Sequence, residues 1–237
     1  MEKEMLYEGK AKQIYASDNP DEVVIYYKDD ATAFNGVKKA SINNKGMLNN
    51  QITIILFTYL QEKGIPTHFI KQIDERKQLC KRVEIIPLEV IIRNYVAGSM
   101  AKRLNIPEGT KPSNVIMELS YKDDNLHDPL INSDHAVALG VVNYEQLEIL
   151  EQLARKINEL LIDLFLKLDI KLIDFKIEFG LDKDGNIVLA DEISPDSCRL
   201  WDKNTNEKLD KDRFRRDLGE VENAYQEILQ RLSNKRG

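Results

Sequence analysis

Residues 171–201 read KLIDFKIEFG, then LDKDGN, then IVLADEISPDSCRLW, and the fold turns on how this stretch is read. In its first arm Ile173, Phe175, Ile177 and Phe179 alternate with Asp174, Lys176, Glu178 and Gly180. That period of two is the signature of a strand with one apolar and one charged face. Asp184-Gly185 is a favoured two-residue hairpin loop, because both positions tolerate the positive φ of a type I′ turn. With that turn Lys183 lies opposite Asn186, and stepping back along the ladder sets Glu178 opposite Asp191. Two carboxylates facing each other repel unless they share a cation. Mg²⁺ suits such a place, being held by one or two carboxylates together with substrate phosphate oxygens. Lys176 lies on the same face, about 7 Å along the strand from Glu178. The alternative is a solvated strand face, and a slip of one residue would destroy the pairing.

The rest of the chain sets the context for that hairpin. Its 237 residues suffice for one large domain or two lobes with a proper core. At 42% hydrophobic and 31% charged residues it has the composition of a globular protein. A net charge of -6 and a pI near 5.3 argue against nucleic-acid and membrane partners, which favour a basic surface. Cys80 and Cys198 have no CxxC spacing, so neither a zinc site nor a disulfide framework is expected, and a reducing cytoplasm is the default. The N-terminal MEKEMLYEGK carries no apolar run of the kind an export signal has.

Strands are expected within Met5–Tyr15 and over Glu22–Lys28, with Gly9-Lys10-Ala11-Lys12 at the first bend. Small residues there let backbone approach a phosphate and the lysines add charge, although a lysine-rich tip is commonly just solvated. Thr32–Gly46 reads as a loop. A helix follows from about Met47 to Lys63, stopped by Gly64 and Pro66. THFIKQI, QLCKRVEI and PLEVIIR read as strands, and Ser99 as the N-cap of a helix over SMAKRL, beside Arg93. Another strand is expected over Ile116–Lys122, then a polar turn containing Asp128-Pro129. His68, His127 and His135 are given no metal role. The apolar stripe from Tyr144 to Leu168 predicts a long core helix, and the chain closes with a helix over Val221–Ser233. Lys211, Arg213, Arg215 and Arg216 form a basic run, which in an acidic chain suggests a local anion site.

Lysines at an early bend, acids and a lysine on the late hairpin, and basic residues at Arg93, Arg199, Lys211 and Arg215 describe a place for polyanions and a metal. That favours phosphoryl transfer, where catalysis is mainly positioning and charge neutralisation. A small-molecule kinase and a nucleotide-binding module without turnover fit the same residues. A Mg²⁺-dependent nuclease fits poorly, since such enzymes commonly place the lysine after the second acid and need a basic footprint.

The blocks LYEGKAKQIY, VIIRNYVAGS, HDP, DFKIEFG, DEISPDSCRLWD and KDRFRRDLG, in that order, resemble the pattern of the phosphoribosylaminoimidazole-succinocarboxamide synthase (SAICAR synthetase) family over nearly the whole chain. The resemblance implies a two-lobed α+β fold, ATP-grasp-like or kinase-like, with largely antiparallel sheets and packed helices. Its small nucleotide lobe would span 1–82 and its larger metal and substrate lobe 83–237. It implies an ATP- and Mg²⁺-dependent ligase joining carboxyaminoimidazole ribonucleotide (CAIR) to L-aspartate through an acyl phosphate, and a cytoplasmic homodimer. Carried over residue by residue, Lys10, Ala11, Lys12, Lys81, Ile85, Lys122 and Asp128 would surround ATP, with Glu178 and Asp191 holding Mg²⁺ beside it. Lys176 would neutralise the transferring phosphate and Asp174 would sit near the attacking amine. Arg93, Ser99, Arg199, Lys211 and Arg215 would bind the ribonucleotide and aspartate. Asn35 stands where the pattern has an acidic residue, so that loop is assigned no metal ligand, and Cys198 replaces a small polar residue, with a packing role expected.

Overall fold

In a computed structural model, residues 4–33 and 37–234 are described. The first bend forms as expected, β1 (Met5–Glu8) turning through Gly9–Ala11 into β2 (Lys12–Ala16), followed by β3 (Glu22–Tyr27). The segment expected to be a loop instead forms a hairpin of β4 (Asp30–Ala33) and β5 (Lys38–Ser41). Its strands bury only Ala31 and Ala33, against Phe214, and two small alanines make too weak an alternation to announce them. Asn35 lies outside the described residues. Helix α1 (Lys45–Glu62) follows, then β6 (Phe69–Gln72), β7 (Lys77–Lys81) and the long β8 (Glu84–Arg93). Strands 1, 2, 3, 7 and 6 form an antiparallel sheet in that order.

The second half supplies a larger sheet. After α2 (Gly98–Leu104) come β9 (Ile116–Tyr121), a 3₁₀ turn at Asp124–Leu126, β10 (Leu130–Ile131) and α3 (Ser133–Ala138). Helix α4 (Tyr144–Leu166) starts at a reciprocal cap, in which Asn143 accepts from the Gln146 N–H at 2.8 Å and Gln146 accepts from the Asn143 N–H at 2.9 Å. The remaining elements are β11 (Ile170–Leu181), β12 (Ile187–Ala190), β13 (Cys198–Asp202), the single turn α5 (Asp212–Arg215) and α6 (Val221–Ser233). The sheet runs β10-β9-β8-β11-β12, with β13 on the other half of the β12 side of β11. Ile173, Phe175, Ile177 and Phe179 are buried along β11 as their alternation requires. Most of that face joins α1, α4 and α6 in one core. Hydrogen bonds from the His68 N–H to the Leu189 carbonyl and from the Leu189 N–H to the Pro66 carbonyl tie the two sheets together.

The hairpin forms, but its register is one residue away from the expected one. The Asp182 N–H donates to the Asn186 carbonyl at 3.0 Å and the Gly185 N–H to the Asp182 carbonyl at 2.9 Å, closing a three-residue loop with Gly185 at φ 80°. The Asp182 carboxylate fixes this loop by accepting from the N–H groups of Asp184 and Asn186. Glu178 therefore faces Ala190, not Asp191. Asp191 lies just past the strand at φ 59°, a left-handed conformation uncommon for a non-glycine residue.

Ser99 is not an N-cap either. Ala97 holds that position without a side-chain bond, and Ser99 is the second residue of α2. At the start of α1 the backbone comes so close to β3 that a Cβ on Gly46 would lie 2.3 Å from the Tyr27 carbonyl oxygen and 2.8 Å from that of Lys28. Gly46→Ala is expected to lower the unfolding free energy by about 1–3 kcal/mol through overpacking, measured by urea denaturation.

Candidate active site

The charged face of β11 is arranged against its neighbours residue by residue. Asp174 pairs in register with Arg93 on β8 and with Arg199 on β13, while Glu178 pairs with Glu89 on β8. The like-charged cross-strand pair thus exists, with Glu89 as the partner of Glu178. Lys176 resolves it: its Nζ lies 2.9 Å from Glu89 Oε1 and 3.0 Å from Glu178 Oε1. Burial alone would push the Lys176 ammonium down, but Glu178, Glu89 and Asp191 together hold its pKa well above the usual lysine value.

Two cavities meet at this point. The larger, of about 760 Å³, lies between the sheets and is lined by every residue expected around ATP: Lys10, Ala11, Lys12, Lys81, Ile85, Lys122, Asp128, Glu178 and Asp191. One of its walls is apolar, with Ile14, Val23 and Ile25 from the smaller sheet and Val83, Ile85 and Pro87 from the chain entering and running along β8. Such a slot takes a flat heterocycle, and its opposite end is charged. There Lys12 forms an ion pair with Asp191 and lies 2.9 Å from Glu192, Lys122 pairs with Glu178, and Lys10 lies 2.7 Å from Asp124. Burial would lower the Lys12 pKa, yet Asp191 and Glu192 keep it well above the ordinary value. Asp128 also serves its turn, accepting from the Asp123 N–H at 3.0 Å.

The second cavity, of about 350 Å³, is lined by Arg93, Ser99, Asp174, Arg199, Lys211 and Arg215, the residues expected around the other substrates. Lys10, Glu89 and Lys176 line both cavities. Asp174 accepts from Arg93 at 2.8 Å and from Arg199 at 3.0 Å. The Ser99 hydroxyl accepts from Arg93 at 3.4 Å. The basic run divides: Lys211 and Arg215 face this pocket, whereas Arg213 turns away to the Gly219 carbonyl and Glu207, each at 2.7 Å. Cys198 borders the pocket as a free, buried thiol that burial keeps protonated.

Sequence reasoning missed Glu89, Glu192, Asp196 and His68. Glu89 was visible as the single acid among Leu88, Val90, Ile91 and Ile92. His68 carried no such signal; only the bonds from β12 to residues 66–68 bring it beside Asp191.

A model of the SAICAR synthetase family matches residues 5–232. The chain belongs to the SAICAR synthetase family. A phosphoribosylaminoimidazole-succinocarboxamide synthase from Clostridium botulinum (strain Alaska E43 / Type E3) is 66% identical over 234 residues, covering 98% of this chain and 100% of that protein. The crystal structure of the synthase from Ehrlichia chaffeensis superposes with a TM-score of 0.95 at 48% identity, covering 97% of this chain and 98% of that one. A SAICAR synthetase in complex with ADP gives 0.93 at 50% identity, covering 96% and 97%. Members of this family are ATP-dependent carbon–nitrogen ligases of purine biosynthesis, and the α+β fold of antiparallel sheets and packed helices is theirs.

In this SAICAR synthetase fold His68 is 3% exposed, its ring tilted against Phe57 and its Nε2 without a hydrogen-bond partner among the described residues. Burial pushes its pKa down to about 4. The depressed value means that the stability it contributes is present above pH 6.5, the unfolded value, and is lost as pH falls toward 4. Between pH 7 and pH 5 this one group removes about 2 kcal/mol. Urea denaturation in EDTA is expected to show that decline in the parent protein and a correspondingly smaller one in His68→Leu.

Proposed function

We propose that the larger cavity binds ATP, that the smaller binds CAIR and L-aspartate, and that phosphoryl transfer takes place at Lys176, where the two meet. The observation that carries this reading is the position of Lys176, whose ammonium borders both cavities and remains charged. A carboxylate is a poor acyl donor. In the proposed reaction a CAIR carboxylate oxygen attacks the γ-phosphorus, the bond to the ADP oxygen breaks, and an acyl phosphate forms. The aspartate amine then attacks the acyl carbon, the C–O bond to phosphate breaks, and the amine loses a proton as SAICAR and phosphate separate.

On this reading Lys10, Ala11 and Lys12 line the triphosphate, and Lys81, Ile85, Lys122 and Asp128 surround the rest of the nucleotide. Glu178 and Asp191 fit a Mg²⁺ ion, since both present hard oxygen donors to one cavity and both act on the Lys176 ammonium. Bound there, Mg²⁺ supplies charge neutralisation to the phosphates. Among the described residues no group of three or more His, Cys, Asp or Glu could hold a metal ion, so an ion at Glu178 and Asp191 would need further oxygen ligands from phosphate or water. Asp174, with arginines on both oxygens, orients the incoming amine and holds Arg93 and Arg199 toward the substrate anions. Lys176 neutralises charge and moves no proton.

The reading extends to a nucleotide lobe over 1–82 and a substrate lobe over 83–237, supported by the separate sheets, although α1 of the first adds its apolar face to the core of the second. It further takes the protein to be a cytoplasmic homodimer; both cysteines are free, as a reducing compartment permits. Light scattering should then report twice 27.4 kDa. Among the described residues no helix is long and apolar enough to cross a membrane.

Steady-state ADP release should require L-aspartate as well as CAIR, and release indifferent to the amino acid would point to a kinase instead. Glu178→Gln and Asp191→Asn should each lower kcat by about a hundredfold or more. Survival of full turnover in either would remove the metal assignment. Lys176→Met should cost about 10²–10³ in kcat. In the parent enzyme neither Lys12 nor Lys176 should contribute an alkaline limb to the pH profile of kcat below pH 10, because both are held charged.

A further inference from the structure

Behind the smaller cavity lies a charged cluster that the reaction above does not use. Lys45, the first residue of α1, is 1% exposed, and its Nζ lies 2.6 Å from Asp196 Oδ2. A lysine this deeply buried needs a carboxylate of its own, since an unpaired charge inside a protein is strongly unfavourable. Asp196 Oδ1 accepts from the Tyr225 hydroxyl of α6 at 2.6 Å. Asp196 borders the cavity, and so does Lys211, whose Nζ lies 3.8 Å from the same Oδ2 that Lys45 occupies. The pocket arginines, by contrast, all have carboxylates at hydrogen-bond distance: Arg93 and Arg199 on Asp174, and Arg215 on Asp212 at 2.7 Å.

We propose that Lys45 is a positioning residue for the substrate cavity: by taking Asp196 as its own counter-ion, with Tyr225 fixing the other oxygen, it leaves the Lys211 ammonium free for an anionic group of a substrate. This rests on the reading that Lys211 binds substrate. Pocket electrostatics agree with the geometry. Burial would raise the Asp196 pKa, but Lys211, Lys45 and the Tyr225 hydroxyl hold it well below the usual carboxylate range. Lys211 is lowered, first by burial and then by Lys45 and Arg215, against the opposing pull of Asp196 and Glu192. Without Lys45, Asp196 would turn its full charge on Lys211, tying up that ammonium and raising its pKa.

Steady-state kinetics on the intact enzyme test this. Lys211→Met first shows which substrate, CAIR or L-aspartate, the ammonium serves, through a raised KM for that substrate. Lys45→Met should then raise the KM for the same substrate about tenfold. The KM for ATP should stay within about twofold, and the alkaline limb of kcat/KM should move to higher pH. Lys45→Met/Asp196→Asn, which removes both charges, should bring that KM back to within about threefold of the parent value. Tyr225→Phe, which removes only a hydroxyl, should shift KM and the alkaline limb in the same direction by a smaller amount, and it carries the test if Lys45→Met does not fold. An unchanged KM and limb in folded Lys45→Met, a double variant as impaired as the single one, or an unaltered Tyr225→Phe alongside an unfolded Lys45→Met would overturn the inference. An unchanged substrate KM in Lys211→Met would overturn the reading beneath it instead.

Discussion

The ammonium of Lys176, held between Glu178 on its own strand and Glu89 on the neighbouring one, is the contact on which the arrangement of both cavities depends. Two glutamates in register on adjacent antiparallel strands would repel. A cation two residues along the same face cancels that repulsion without leaving the sheet. Because β11 is twelve residues long and flanked on both edges, the same face carries Asp174 four residues away, between arginines from β8 and β13. One strand therefore sets the spacing between the charged end of the larger cavity and the arginines of the smaller one. The spacing is rigid, since the opposite face of β11 lies in the core.

Charge in the site is balanced before any ligand arrives. Lys10, Lys12, Lys122 and Lys176 each contact at least one carboxylate, and Arg93, Arg199 and Arg215 do the same in the second cavity. Preorganised partners of this kind hold cations in place in a partly buried cleft, where an isolated ammonium would lose much of its hydration energy. On the proposed reading, a polyphosphate with a divalent ion would bring both signs of charge and exchange with these pairs without leaving the cleft strongly charged.

Much of this was legible in the sequence, because the signals were local. The alternation along 171–181, the stripe of α4 and the Gly-Lys-Ala-Lys bend each depend on residues within one element. The register of the hairpin was not. Reading Asp184-Gly185 as a two-residue loop ignored Asp182, whose carboxylate captures two backbone N–H groups and enlarges the loop by one residue. That single residue moves the partner of Glu178 from Asp191 to Ala190, and Asp191 reaches the cavity by a left-handed turn that no periodicity predicts. The β4-β5 hairpin was hidden for a different reason: its strands face mostly solvent, and a polar strand resembles a loop.

The basic run at 211–216 shows how far side-chain direction depends on one buried acid. Asp212 binds Arg199 at 3.0 Å, Arg215 at 2.7 Å and Arg216 at 3.2 Å, so it fixes three guanidinium groups, one from β13, one from α5 and one from the residue that follows α5. Its own pKa is raised by burial but lowered further by Arg199 and Arg215, leaving it ionised. The adjacent Asp210 cannot share that work. Its oxygens accept the N–H groups of Leu200 at 2.8 Å and Asp212 at 2.7 Å, and burial beside a charged Asp212 pushes its pKa up to about 7. The two acids thus divide their duties, Asp210 holding backbone and Asp212 holding guanidinium. Arg213, one residue on in a single turn of helix, points away from both, so of the run Lys211 and Arg215 border the smaller cavity.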